Sequence, residues 1–359
     1  MYEHQTYEAI LGRMLARVPD DVDKREGSII FDALAPAAAE LAQMYAEIEI
    51  NNDLSYADTS SDEYLERRTS EFGVHRRPAT KARRKGLFRG KEDVPVNVPI
   101  GSRFSIGELT YVTVSKVATG SFVLESETVG VVGNQHYGEM LPIDYIDGLV
   151  SVELMEVLVP GEDEESDDEL RKRYLTTINE QPFGGNLADY KAKISAIPGI
   201  GGTKVVPAWA GGGTVKCTII ASDYSAPSAT LIDEVQAVID PQVNQGQGLG
   251  LAPIGHVVTI NGVTNVEVNV TTTLTLAQGI TPGMVQSEVE AAVEAYLLSL
   301  RTTWKDQIAL TVRISQIEAR LLNVSGVVDI NGTTLNGTAS NLELEAEQIP
   351  VSGTVTIHV

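Results

Sequence analysis

Apolar positions recur every three or four residues at the start of the chain and every second residue further on. Tyr7, Ile10, Leu11, Met14, Leu15 and Val18 line one helical face, which Pro19-Asp20-Asp21 brings to an end. Ile30, Leu34, Ala37, Leu41, Met44 and Ile48 follow at spacings of 4, 3, 4, 3 and 4, the seam of a heptad repeat. Pro36 lies inside that seam and predicts a kink or a break, because it has no N–H and its ring meets the preceding turn. Ser60 and Glu63 predict a capping box for a third helix carrying Tyr64, Leu65 and Phe72. Six apolar side chains do not offset the ordering of so long a segment. The seam therefore packs on the first helix as a hairpin or on another chain as a bundle.

After residue 92 the period changes to two. Val94, Val96 and Val98 alternate, and Ile100-Gly101-Ser102 turns. Tyr111–Val114 and Ser121–Leu124 flank Ala118-Thr119-Gly120, the pattern of a hairpin, and Leu149–Val159 alternates again. These strands predict a small β-domain, barrel or sandwich. Ser166 and Glu169 then form a capping box for a helix with Leu170, Tyr174 and Ile178 on one face. Asn186 caps a second helix with Leu187, Tyr190 and Ile194 inward, stopped by Pro198-Gly199 before a strand at Thr203–Val206.

Further strands are expected at Thr214–Ala221, His256–Ile260, Val266–Leu276, Ile308–Val312 and Gly326–Ile330. Between them lie helices at 228–239, with Leu231, Val235, Val238 and Ile239 inward, at Pro282–Leu300, and at Ile314–Leu322. The fold class is α+β and multidomain. A helical segment at 1–73 is followed by a basic stretch at 74–91 and a β-domain at 92–162. Two α+β modules complete the chain, at 163–262 and 263–359.

Charge divides sharply along the chain. Residues 74–91 hold eight Lys or Arg, although the whole chain has 49 acidic against 27 basic residues and a formal charge of -22. Such an acidic chain repels phosphate backbones and anionic membrane surfaces. The basic stretch has one aromatic, Phe88, and lacks the stacking platforms of single-strand binders. It reads either as a solvated linker or as a docking site for an acidic neighbour. Gly161–Glu169 carries seven acidic residues in nine and predicts a solvated loop without EF-hand spacing.

Catalytic and metal chemistry finds no footing. The five histidines lack zincin spacing, and no Gly-x-Ser-x-Gly elbow occurs. The single cysteine, Cys217, alternates with Val215 and Ile219 as a small core residue. Gly246–Gly250 reads as a turn, and His256 as a turn or packing residue. No metal or cofactor is expected. One cysteine, a polar start and no bilayer-length apolar run fit a chain folded in a reducing cytoplasm. Asn-Gly at 331 and at 336 predicts tight turns.

Several motifs, in order, resemble the baseplate J-like family of contractile phage tails and related injection machines. They are Asp168-Glu169-Leu170-Arg171-Lys172-Arg173-Tyr174, Phe183-Gly184-Gly185-Asn186 and Ile197-Pro198-Gly199-Ile200. Val98–Phe104, Val129–Met140, Leu251–Gly255, Val324–Asp329 and Leu342–Thr356 extend the resemblance over almost the whole chain. His256 stands where the family usually has a small residue.

The resemblance implies a structural subunit of the baseplate wedge ring, assembled in the host bacterial cytoplasm and resident in the virion or tail-like particle. It implies a second copy of the chain, a smaller wedge partner, and central hub or spike and sheath-proximal proteins as partners. The N-terminal seam, Ile30, Leu34, Leu41, Met44 and Ile48, becomes the expected partner-binding surface. Arg76, Arg77, Arg83, Arg84 and Lys85 become candidates for docking on Glu162, Glu164 and Glu165 of a neighbouring copy. A receptor- or fibre-attachment module and a cell-wall hydrolase are the competing classes. The two tryptophans, Trp209 and Trp304, are isolated and make no sugar platform.

Overall fold

The computed structural model describes residues 2–179 and 183–359. The chain divides into two compact units, Met1–Arg77 with Glu165–Glu180, and Pro78–Glu164 with Gln181–Val359.

The first unit is helical: α1 (Tyr7–Ala16), α2 (Ile29–Leu54), α3 (Asp62–Ser70) and α4 (Asp167–Asn179). Thr6 and Ser28 accept hydrogen bonds from the Ala9 and Phe31 N–H groups and start α1 and α2. Helix α2 runs through Pro36 without the expected break. The neighbouring helical bonds and the packing on α1 outlast the one bond proline cannot make. The start of α3 departs from expectation too. Its cap position is Ser61, without a side-chain cap bond, and the buried Ser60 hydroxyl has no partner. Helix α3 buries Leu65 and Thr69, while Tyr64 and Phe72 are exposed. Leu65 and Val74 pack with Leu170 and Tyr174 of α4. The expected box at α4 is present, with Ser166 N–H bonded to Glu169 Oε2 at 3.1 Å and Glu169 N–H to Ser166 Oγ at 3.4 Å. Ile178, expected inward, is exposed.

The second unit opens with a closed six-stranded antiparallel barrel. Its strands are β1 (Lys81–Arg89), β2 (Arg103–Ile106), β3 (Leu109–Ala118), β4 (Ser121–Val129), β5 (Gly138–Pro142) and β6 (Ser151–Val159). Their order is β1-β4-β3-β2-β5-β6, and β6 pairs back onto β1. The basic stretch is thus largely a barrel strand, where a linker or docking loop was expected. Alternation explains it: Ala82, Arg84, Gly86 and Phe88 face inward, and Lys81, Arg83, Lys85 and Arg89 face out. Phe88 meets Phe104 and Phe122 edge-on at 5.1 and 5.2 Å and centres the core. Val94–Val98 forms no strand: a short 3-10 turn precedes it, and only Pro95 bridges to β1.

Two small α+β modules follow. The first contains α5 (Leu187–Ser195), β7 (Ile200–Pro207), β8 (Thr214–Ala221), α6 (Ala229–Ile239) and β9 (Val257–Gly262). Gly199, at φ +87, makes the stop before β7, and Val159 and Leu231 pack over it. The sheet order is β7-β8-β9, with β8 antiparallel to β7 and parallel to β9. Leu187 and Val238, both expected inward, are about half exposed.

The second module contains β10 (Thr264–Leu276), α7 (Pro282–Thr303), β11 (Thr311–Val312), α8 (Ile314–Leu321), β12 (Val327–Leu335), β13 (Leu342–Glu343) and β14 (Gln348–His358). Its sheet, β12-β10-β14, again has a central strand with one antiparallel and one parallel neighbour. In the first sheet the antiparallel neighbour precedes the central strand; here it follows. Ile308, expected in a strand, is fully outside it. Of the two Asn-Gly pairs, Asn336-Gly337 makes a turn with both φ values positive. Asn331-Gly332 lies inside β12, where Gly332 (φ +65) sits at a register shift, a bulge rather than a turn.

Candidate functional site

Helix α2 has two apolar stripes. Phe31, Ala35, Ala38, Ala42 and Tyr45, at spacings of 4, 3, 4 and 3, pack on Ile10, Leu11 and Met14 of α1. Leu34 and Leu41 join that core from its edge. The rest of the expected seam stays outside: Met44 and Ile48 are exposed and Ile30 is partly buried. Ile29 adds to this flank at 88% exposure. Hairpin and free seam therefore coexist on one helix. The alanine-rich inner stripe escaped the sequence reading because it carries little apolar bulk.

The opposed charge runs do meet, but inside one chain and largely within the helical unit. Arg76 donates to Glu66 at 2.6 Å, to Asp167 at 2.5 Å and to the Glu165 carbonyl. Arg173 holds Glu165 with two bonds, 2.7 and 2.6 Å, and reaches the His75 carbonyl at 2.6 Å. The Arg77 N–H donates to Glu165 Oε2 at 3.0 Å. Burial disfavours the Glu165 carboxylate, yet Arg173 and the Arg77 N–H outweigh it and hold its pKa below the usual range. The Asp62 N–H and Arg76 do the same for Asp167. Arg173 and Glu66 were not foreseen as partners: Arg173 stands two helical turns from Glu165, beyond any local pairing rule. Arg171 donates to the Ala57 and Ser60 carbonyls at 2.8 and 2.7 Å, tying α4 to the turn before α3.

The remaining charges are committed within the second unit. Arg83 makes a two-bond pair with Glu234 of α6, at 2.9 and 2.5 Å, and Lys85 pairs with Glu156 at 2.9 Å. Arg84 is fully buried and donates to the carbonyls of Gly133, His136 and Met155. Burial pulls its pKa down. The acidic loop is not the solvated segment expected. Glu162 accepts from the Gly199 N–H at 2.7 Å and Asp163 from the Val131 N–H at 2.9 Å. Glu164 is exposed.

Two domain families match the chain. The Baseplate J-like central domain covers residues 182–262, and the Baseplate J-like protein C-terminal domain covers residues 268–358. Two proteins of Bacillus subtilis (strain 168) match end to end. "Uncharacterized protein YqbT" is 38% identical and "Phage-like element PBSX protein XkdT" is 37% identical, each over 359 residues and 99% of both chains. The chain belongs to the baseplate J-like family. "Baseplate protein gp47" of Escherichia phage Mu is 26% identical over 234 residues, 60% of this chain and 64% of its own. This baseplate J-like chain is accordingly a tail baseplate protein of the phage or prophage-like type.

Tyr190 OH lies 2.8 Å from His256 Nδ1, and the two rings stack, so the histidine that departs from the family pattern is a packing residue. Cys217 is buried, which pushes its thiol up to about 12. Among the described residues, no group of three His, Cys, Asp or Glu could hold a metal ion. No helix among them is long and apolar enough to cross a membrane.

Proposed function

We propose that the chain is a structural subunit of the baseplate wedge ring of a contractile tail or tail-like injection particle. It holds the ring around the central hub and passes receptor engagement to the sheath, without catalytic chemistry of its own. The observation that supports this most directly is the uncovered apolar flank of α2. Ile30, Met44 and Ile48, continuous with Leu34 and Leu41, offer a second helix the heptad seam that α1 leaves open. In this reading a smaller wedge partner packs there and a second copy of the chain completes the wedge.

Rigid modules joined by hinges suit an assembly that switches between two discrete arrangements. The division between the compact units crosses the chain at Arg77–Pro78 and Glu164–Glu165, inside the two segments where charge changes most abruptly. We assign Arg76, Arg77 and Glu165 to holding the helical unit together, and Arg83, Arg84, Lys85 and Glu162 to holding the second unit together, each within itself. Docking between copies through them would first require opening contacts each chain already makes.

The test is native mass spectrometry of the full chain co-expressed with the product of the adjacent gene. Two copies plus one neighbour are expected, and Met44→Asp with Ile48→Asp should release the neighbour while the chain keeps its helix content. A monomer or homotrimer indifferent to both the neighbour and the substitutions would overturn the wedge reading.

A further inference from the structure

Asparagine followed by glycine occurs three times in the chain, in nearly one local sequence: Ile260-Asn261-Gly262-Val263, Ile330-Asn331-Gly332-Thr333 and Leu335-Asn336-Gly337-Thr338. All three pairs carry the same latent chemistry. The side-chain carbonyl carbon of an asparagine can reach the nitrogen of the next residue, and a glycine there puts no Cβ in the way. Neighbours in sequence do not separate the three pairs. Their surroundings in the fold do.

Asn261 and Gly262 lie in β9 and pair in unbroken register with Thr218 and Ile219 of β8. A Cβ at Gly262 would fall 2.7 Å from Pro227 and 3.0 Å from Ile232, so this backbone has no room to turn. Asn336 is held at both ends of its carboxamide. Its Oδ1 accepts from the Asn269 N–H at 2.8 Å, and its Nδ2 donates to the Glu267 carbonyl at 3.0 Å. Leu335 and Thr338 close the turn around it with two backbone bonds of 2.9 Å. Asn331 has neither restraint. It is exposed, and its side chain makes no hydrogen bond among the described residues. The ladder of β10 with β12 passes from Thr273 opposite Asn331 to Thr271 opposite Thr334, so Gly332 and Thr333 share Thr272. The Thr333 hydroxyl takes that of Thr272 at 2.8 Å, which leaves Gly332, at φ +65, as the residue the bulge pushes out of register. Beyond its chain neighbours, the nearest atom to where its Cβ would stand is Thr273 Oγ1 at 3.8 Å. Strand β12 is an edge strand, open to solvent on one side.

We infer that Asn331 is a deamidation site, the one of the three pairs that the fold leaves reactive. The Gly332 nitrogen gives its proton to solvent base and bonds to Asn331 Cγ. The Cγ–Nδ2 bond breaks, and the side-chain nitrogen takes up a proton and leaves as ammonia. The five-membered imide that results then adds one water. Opening at Cγ gives aspartate at this position; opening at the main-chain carbonyl gives isoaspartate, with one more carbon in the backbone. The sum is asparagine plus water going to a carboxylic acid plus ammonia, with no oxidant or reductant. Either product is charged at neutral pH. It stands two residues from Asp329, on the face turned away from the core, in a chain of formal charge -22. Isoaspartate also lengthens β12 beside its bulge and disturbs the register with β10. The edge of this sheet therefore loosens as the protein ages.

The test is peptide mass spectrometry on the purified full chain held at mildly alkaline pH, where loss of the glycine proton speeds the attack. Asn331 should convert to acid roughly ten-fold or more faster than Asn336, the factor set by freeing two hydrogen bonds. It should also outpace Asn261. In urea the three rates should draw together, because the three local sequences are alike. Asn331→Gln, which would have to close a larger ring, should gain no acid at this position over the same period. Asn331→Asp should lower the thermal midpoint in the direction that ageing lowers it in the native chain. Equal rates at Asn331 and Asn336 in the folded chain overturn the inference. So does a preference for Asn331 that persists in urea, or an Asn331 that stays intact in the folded chain while it reacts in the unfolded one.

Discussion

Helices α2 and α7 are the two long helices of the chain, with 26 and 22 residues, and they are used in opposite ways. Helix α7 buries Val285, Val289, Val293, Tyr296, Leu297 and Arg301 against the sheet β12-β10-β14 and α8. Helix α2 buries one residue fully, Ala38. The difference is not in apolar content, since α2 has Ile29, Ile30, Phe31, Leu34, Leu41, Met44, Ile48 and Ile50. It lies in what covers that content. A helix whose apolar residues find a sheet is a core element; one whose residues find a single ten-residue helix keeps apolar side chains exposed.

The largest effect should come from the covered helix. Leu297→Ala removes a fully buried side chain and should cost about 3 kcal/mol in urea unfolding. A cost near zero would mean α7 is no better packed than α2. In the barrel, Arg84→Met removes the arginine donor from the His136 and Met155 carbonyls and leaves Gly133 with the Tyr111 hydroxyl alone, an expected loss of about 2–3 kcal/mol. An unchanged midpoint would show that this buried cation is dispensable.

The helical unit should be acid-sensitive in a way the α7 core is not. Glu165 and Asp167 have pKa values held below the range of unfolded carboxylates, near 4. Their contribution is complete above that value and is lost as pH falls through the lower folded values. Helix signal should therefore drop below about pH 4, and Arg173→Gln should flatten the drop. A variant with the wild-type acid profile would remove the network from the account.

A smaller effect lies at alkaline pH. Burial lowers Lys204 to about 8, with its ammonium over the Trp304 ring and donating to the Ala346 carbonyl. Above that pH the unfolded chain keeps the proton longer, so Lys204 adds stability as pH rises toward its unfolded value. Cys217, raised to about 12, acts in the opposite direction above its unfolded value. Lys204→Met should thus lose stability more steeply than wild type between pH 8 and about 10, a contrast that thermal melts can read. The smallest effect should be Met44→Ala, within about 0.5 kcal/mol for the isolated chain. A loss as large as that of Leu297→Ala would show that α2 is a core helix after all.

Element type was legible wherever one face of a helix or strand had to be buried and caps agreed with it. The Ser166–Glu169 box, the Asn186 cap and the Gly199 stop are local devices made of neighbours in sequence, and each stands where it was read. Reading failed where a distant partner decided. Ser60 and Glu63 have the letters of a cap, but α3 begins one residue later. The basic stretch looks like a solvated linker until β4 and β6 take Lys81–Arg89 between them. Its inward Arg84 is tolerable only because three carbonyls from other elements close around it.

By itself the sequence determined the α+β class, the helical start, the helices and most of the strands after the barrel, and, through its ordered motifs, the family. These rest on periodicity and capping, which act over one or two turns of chain. Tertiary structure alone decided that the basic run closes a barrel, that the two charge runs satisfy each other within one chain, and that half of the α2 seam stays open. Those outcomes depend on which groups meet across long sequence separations, where burial and pairing set the energy and local pattern carries no signal.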